Sequence, residues 1–193
     1  RDAVFDELER WTGDRAVLST EFLYDYVTAD NIEKLAVELF VHFDQVRVIL
    51  YLRDQVSHFT SLVSQRIRSG QHDWDRILQV PDRQYRFDEV CDLWGSQFDL
   101  TVRSYDDCRE RLVADFAEWA GLPSPPAAER RNTSLCREAL ELMVRVNALA
   151  DPAKESKRRA LANSLEAMQG ERYTLPEPLA RRIRETYADA NER

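Results

Sequence analysis

The sequence predicts an α/β protein in which a three-layer αβα arrangement surrounds a mostly parallel sheet and a helical C-terminal part follows. Segments 46–52 and 100–105 are short and rich in apolar and β-branched residues, and each is followed by a helical pattern. From residue 134 onward, apolar residues recur almost throughout at helical spacing. Because strands that alternate with helices form parallel sheets covered on both faces, such a sheet is the expected core.

Apolar spacing assigns the elements of the N-terminal part. Residues 1–11 and 30–43 carry apolar side chains at intervals of three and four, which predicts two helices, the second capped by Asp30. The short apolar run Ala16–Leu18 predicts a buried strand. Residues 46–52 are nearly all apolar and β-branched, as is typical of a central strand buried on both faces.

Helices and one further strand follow. Residues 54–69 predict a helix that ends at Gly70, because glycine readily adopts the backbone conformation that closes a helix. Residues 85–98 predict another helix, 100–105 a third strand, and 106–119 a helix that begins at an aspartate. The order of strand, turn and helix is that of a right-handed βαβ crossover.

Composition and charge narrow the function classes. The chain has 193 residues, of which 44% are hydrophobic and 32% charged, and this composition fits one folded domain over residues 1–193. We expect this domain to be truncated at both ends, because the sequence opens without Met and closes within a helical pattern. A net charge of −8 argues against a general nucleic-acid binder, since phosphate neutralisation needs excess Lys and Arg. No apolar run is long enough for a membrane span, so a cytoplasmic location is expected.

The three cysteines do not predict a metal site. Cys91, Cys108 and Cys136 are far apart and lack the paired spacing of a structural zinc site. We therefore expect reduced thiols and no metal.

Ligands of parallel sheets bind outside the carboxyl ends of the strands. That rule selects three places: Ser19–Glu21, Arg53–Ser61 and Arg103–Tyr105.

The most informative of these begins at Arg53. Ser57, Ser61 and Gln65 recur at four-residue steps and so share one stripe of the following helix. A guanidinium, a serine hydroxyl and the positive end of the helix are the groups that bind one phosphate. The alternative for Arg53 is a surface ion pair with Asp54 or another carboxylate.

This pattern resembles a known family. An apolar strand, then Arg53, then Ser61 eight residues later is similar to the 3′-phosphate motif of bacterial-type sulfotransferases that use 3′-phosphoadenosine 5′-phosphosulfate (PAPS). The segments Leu18–Glu21 and Val102–Tyr105 resemble further strand ends of that family, and the likeness extends over essentially the whole chain. The resemblance implies a P-loop-type α/β fold with PAPS as co-substrate, and it implies that Arg53 and Ser61 hold the 3′-phosphate.

Other residues take candidate roles beside this motif. Glu21 is the candidate general base, because a carboxylate that takes the acceptor's hydroxyl proton assists sulfuryl transfer; its alternative is a helix-terminal contact. Arg131 lies in a basic segment that resembles a cofactor contact of the family. Arg103 and Trp74 are candidates for the acceptor site, and the alternative for Arg103 is a structural pair with Asp99 or Asp106.

The sequence departs from the family at one point. It contains no G-x-x-x-x-G-K-[ST] loop or related turn, whose backbone N–H groups and Lys would neutralise the 5′-phosphosulfate. We therefore expect little or no catalysis from this stretch alone. The predicted function is sulfuryl transfer from PAPS to a hydroxyl, with carbohydrate acceptors favoured. The alternatives are a small-molecule kinase of P-loop type and a non-catalytic binding module derived from a transferase.

Overall fold

The computed structural model describes residues 6–20, 28–123, 135–149 and 155–192. Of these, 61% are helical, and two parallel strands form the sheet, so the α/β class is confirmed. The residues fall into two compact units: the first comprises Arg1–Leu52, Asp82–Arg103 and Asp189–Arg193, and the second comprises Arg53–Pro81 and Ser104–Ala188.

The elements of the described residues follow one another in this order after a helical turn at residues 6–8. They are α1 (Ala29–His42), β1 (Arg47–Leu52), α2 (Gln55–Arg68), α3 (Trp74–Ile77), a 3₁₀ turn (Asp82–Tyr85), α4 (Phe87–Gly95), β2 (Asp99–Ser104), α5 (Tyr105–Cys108), α6 (Leu112–Ala120), α7 (Arg137–Leu149), α8 (Glu155–Leu165), α9 (Glu177–Thr186) and α10 (Ala188–Glu192).

The first unit builds its core from the sheet and two helices. Helices α1 and α4 pack together with partly buried residues of both strands. The buried members of this core are Leu8, Ile32, Ala36, Leu39, Val90, Trp94 and Phe98.

Helix α2 lies at the centre of the second unit and contacts α3, α7, α8 and α9. Its inner stripe consists of Phe59, Val63 and Ile67, all fully buried. Because positions four apart share a face of a helix, this stripe lies opposite the stripe of Ser57 and Ser61.

The strand predicted at Ala16–Leu18 is wrong. These residues form no sheet pairing, and the side chains of Val17 and Leu18 are 47% and 53% exposed. A strand needs a neighbour for its backbone N–H and C=O groups, and no described residue supplies one here. With two strands described, the three-layer arrangement is not confirmed.

Two predicted helix caps are also wrong. Thr28, and not Asp30, caps α1, its side chain accepting the Asn31 N–H at 3.2 Å. The helix predicted over 106–119 is divided into α5 and α6, and Ser104 caps α5 where Asp106 was expected to.

The predicted helix end at Gly70 is confirmed. Gly70 follows α2 with φ +109° and Gly121 follows α6 with φ +64°, both in the region that favours glycine. Among the described residues, no helix is long and apolar enough to cross a bilayer.

Candidate functional site

Arg53 directly follows β1 and extends along the first turns of α2. Its Nε donates a hydrogen bond to Ser57 Oγ and its Nη1 donates one to Ser61 Oγ, each at 3.0 Å. The predicted meeting of Arg53 and Ser61 is therefore present, and Ser57 joins it. Gln65 is exposed one turn further along α2, and the hydrogen bonds of Arg53 end at Ser61.

The serine hydroxyls keep their own hydrogens available. A helical serine or threonine often donates to the carbonyl four residues earlier, as Thr60 does to Val56 O at 2.7 Å. Ser57 and Ser61 instead accept from Arg53, and in the described part of the chain neither hydroxyl has a protein acceptor. Three donor groups, a guanidinium and two hydroxyls, thus converge on one small region.

The turn between β1 and α2 is fixed by Asp54. Its Oδ1 accepts the Ser57 N–H at 2.8 Å, which makes Asp54 the N-cap of α2. The Asp54 carboxylate therefore caps the helix. The ion pair between Arg53 and Asp54, which was the alternative to phosphate binding, is not formed. Across residues 6–20, 28–123, 135–149 and 155–192, no carboxylate forms an ion pair with Arg53.

Tyr105, the residue that directly follows β2, covers the guanidinium. The Cζ atom of Arg53 lies 5.4 Å from the centroid of the Tyr105 ring, within the range of a cation–π interaction. Both residues are half-buried. The guanidinium is thus held by a ring and two hydroxyls, which fixes a positive charge without neutralising it.

A second contact joins the same two turns. The backbone N–H of Asp54 donates to Asp106 Oδ2 at 2.9 Å, across 52 residues of sequence. Each partner of this hydrogen bond directly follows a partner of the Arg53–Tyr105 contact. The sequence analysis selected three candidate ligand-binding segments. Two of them, Arg53–Ser61 and Arg103–Tyr105, are therefore connected through Arg53 and Tyr105.

Helix α2 is basic, although the whole chain is acidic. The net charge of the chain is −8, yet α2 contains no acidic residue and carries Arg66 and Arg68 in its last turn. The positive end of the helix dipole lies at its first residues, beside Arg53. An anion bound at Arg53 meets its guanidinium and the N-terminus of α2, and the carboxylates of Asp54 and Asp106 lie in the adjoining turns.

Neither candidate acceptor residue is a hydrogen-bond or cation–π partner of Arg53. Trp74 begins α3 with 39% of its surface exposed, and among the described residues no hydrogen bond or ring interaction joins it to Arg53, Ser57 or Ser61. Arg103 is an exposed residue of β2. Its predicted alternative partner Asp106 accepts the Asp54 N–H.

The candidate base and one candidate cofactor residue fall outside the described residues. They are Glu21 and Arg131. Within the described ranges, no group of three or more His, Cys, Asp or Glu side chains is arranged as metal ligands.

The sequence analysis did not predict two contacts of the site: that of Tyr105 with Arg53 and that of Asp106 with Asp54. The sequence places Tyr105 in a strand-end motif, and it offers Asp106 as the start of a helix or as a partner of Arg103. The sequence does contain a pattern that indicates these contacts: each strand is followed directly by a dipeptide that ends in Asp. These dipeptides are Arg53-Asp54 and Tyr105-Asp106. An aromatic ring and a cation at matching positions after neighbouring parallel strands are placed to meet.

Comparison with known proteins adds no relative: the chain matches no protein-family model, no curated protein and no solved structure. The chemistry of the site therefore rests on the arrangement of its own residues. That arrangement suits a tetrahedral oxyanion with several acceptor oxygens.

Proposed function

We propose that this chain is the nucleotide- and acceptor-binding part of a sulfotransferase that transfers the sulfuryl group of PAPS to a hydroxyl, with a carbohydrate as the acceptor. The observation that carries the proposal is the half-buried guanidinium of Arg53, which is held by Ser57 and Ser61 and forms no ion pair with any described carboxylate. Its preferred ligand is the 3′-phosphate of the nucleotide.

A phosphate monoester suits this set of donors. It offers three oxygens that carry negative charge, and the site offers three donor groups. The Nη2 hydrogens of Arg53 have no acceptor among the described residues, and each serine hydroxyl has its hydrogen free to donate. Charge-assisted hydrogen bonds of this kind are about twice as strong as neutral ones.

The remaining roles follow from the chemistry of sulfuryl transfer. In the proposed enzyme, Glu21 takes the proton of the attacking hydroxyl, and Arg131 contacts the nucleotide. Arg103 and Trp74 contact the acceptor. The complete fold is proposed to be a three-layer αβα P-loop type, and catalysis then consists of positioning and stabilisation of the leaving phosphate.

Calorimetric titration with adenosine 3′,5′-bisphosphate tests the proposal directly. Arg53→Ala should lower the affinity about 10- to 100-fold, because it removes hydrogen bonds to a charged group. Arg53→Lys should recover only part of this loss, since an ammonium keeps the charge but not the planar pair of donors. Arg76→Ala is the matched control, because Arg76 is an exposed arginine whose ion pair, among the described residues, is with Asp73.

The serines give a second, smaller test. Ser61→Ala should weaken binding about two- to tenfold, the range expected for one hydrogen bond. Ser164→Ala, on exposed α8, is the control because its hydroxyl bonds to Ala160 O within its own helix. Absence of binding to the unaltered chain, or equal binding by the Arg53→Ala chain, contradicts the proposal.

Magnesium separates the proposed enzyme from a kinase. Phosphoryl transfer from ATP requires the metal, whereas sulfuryl transfer from PAPS does not. A titration with ATP that gives a signal only with Mg²⁺ favours the kinase. Binding of the bisphosphate without sulfation by the natural full-length protein favours a non-catalytic module.

A further inference from the structure

The aromatic face beside Arg53 is not explained by phosphate binding alone. The Tyr105 ring lies with its centroid 5.4 Å from the Arg53 Cζ atom. The two serine hydroxyls contact the edge of the guanidinium through Nε and Nη1. The arginine is therefore restrained at its edge by α2 and on one face by α5.

Tyr105 lies in a turn that is itself held by hydrogen bonds. It is the first residue of α5, whose cap is formed by Ser104 Oγ accepting the Asp107 N–H at 3.3 Å. Cys108 Sγ donates to Ser104 O at 2.8 Å across the same turn. The next residue after Tyr105, Asp106, accepts the Asp54 N–H. The ring thus belongs to a turn that is tied by hydrogen bonds to the turn carrying Arg53.

We infer that Tyr105 is a positioning residue for the anion site: its ring packs against the Arg53 guanidinium and holds it so that the Nη2 donors remain directed at the ligand. The inference rests on the proposed function in so far as the ligand is a nucleotide phosphate. An arginine side chain has many rotamers in solution, and holding it in one conformation before binding raises affinity. The ring acts through Arg53, and the Tyr105 hydroxyl is not required.

Binding of adenosine 3′,5′-bisphosphate by three variants tests the inference. Tyr105→Leu should weaken binding about three- to tenfold, the effect expected for loss of a partly exposed cation–π contact. Tyr105→Phe keeps the ring and should bind as the unaltered chain does. In an Arg53→Ala background, Tyr105→Leu should cause no further loss, because the ring acts only through the guanidinium.

A readout without ligand keeps the inference separate from the proposed function. The ring current of Tyr105 should shift the NMR signal of the Arg53 Nε–H, and this shift should persist in Tyr105→Phe and disappear in Tyr105→Leu. If the unaltered chain binds no bisphosphate, the proposed function is wrong, and the NMR comparison still decides whether Tyr105 positions Arg53.

Controls address folding. Tyr173→Leu replaces another half-buried tyrosine of the second unit and should leave both readouts unchanged. Circular dichroism shows whether Tyr105→Leu is folded, and Tyr105→Met, which keeps more of the side-chain length, replaces it if it is not. The inference is overturned if the Arg53 Nε–H signal of the leucine or methionine variant is the same as that of the unaltered chain. It is also overturned by a loss of affinity in Tyr105→Phe equal to that in Tyr105→Leu, which would assign the effect to the hydroxyl.

Discussion

The backbone N–H of Asp54 donates a hydrogen bond to the carboxylate of Asp106, 2.9 Å away and 52 residues later in the sequence. This contact joins the turn after β1 to the turn after β2, and it lies directly beside the contact of Arg53 with Tyr105. Loss of the Asp106 carboxylate should therefore disturb both the fold and the candidate site.

Asp106→Ala should lower the free energy of unfolding by about 1–2 kcal/mol, because a charge-assisted hydrogen bond is removed and the Asp54 N–H loses its acceptor. Asp107→Ala is the control, since it changes a neighbouring acidic residue in the first turn of α5 and leaves the Asp54 contact intact. Urea unfolding followed by circular dichroism measures both. Equal losses in the two variants would show that only the charge at the start of α5 matters.

Asn147 of α7 is buried and binds the end of α2. Its Nδ2 donates to Ile67 O at 2.7 Å and to Gln71 O at 3.1 Å. Asn147→Ala should lower the free energy of unfolding by about 2 kcal/mol, since it removes both hydrogen bonds and leaves a small cavity. Urea unfolding is the measurement.

The isosteric substitution Asn147→Asp should make the stability of the protein depend on pH through the same contact. A buried carboxylate beside two carbonyl oxygens has a raised pKa, so the folded state binds its proton more tightly than the unfolded chain does. The variant should be least stable at neutral pH and should recover stability as the pH falls through the folded-state pKa. Asn163→Asp, at an exposed position of α8, should show no such recovery.

Gly70 closes α2 with φ +109°, and a Cβ at this position would come within 2.5 Å of the Arg158 guanidinium. Gly70→Ala should cost about 1–2 kcal/mol of stability through backbone strain and displacement of Arg158. The double variant Gly70→Ala, Arg158→Ala should recover only the part due to the side-chain contact. Gly95→Ala is the control, because its Cβ would lie at an ordinary 3.8 Å from Leu100 and should change stability little.

Cys91 of α4 is half-buried, and burial raises the pKa of its thiol, with Asp92 and Asp88 adding to the shift. Because the thiolate is the reactive form, iodoacetamide should alkylate Cys91 more slowly than an unburied cysteine at the same pH. The pH at which alkylation reaches half its maximal rate should lie above the ordinary thiol value. Peptide mass spectrometry across a pH series measures this, and a profile like that of free cysteine would contradict it.

The elements that sequence predicts correctly are those set by local pattern. The strand that became β1 is nearly all apolar, and α2 has both its periodicity and a glycine at its end. The predicted burial of β1 on both faces is wrong, because Arg47 is exposed and residues 48–52 are only partly buried. The same locality explains why the contact of Arg53 with Ser57 and Ser61 was predictable, since residues at four-residue steps must share a helix face.

The features that were not predicted depend on distant or competing partners. Ala16–Leu18 has strand-like composition, but a strand forms only where another strand pairs with it, and the run is too short to show whether one does. Thr28 and Asp30 are both able to cap a helix, so sequence alone does not choose between them. Asp106 acts on a backbone N–H far away in the chain, and no local pattern encodes that distance.

Helix α2 presents Ser57 and Ser61 on one stripe and the fully buried Phe59, Val63 and Ile67 on the opposite one. A substitution in the buried stripe can rotate or shift α2. Such a movement changes the positions of both serine hydroxyls relative to Arg53. Substitutions such as Val63→Ala are thus expected to alter ligand affinity from a distance. Core substitutions selected because they raise thermal stability would therefore also change the affinity for the anion.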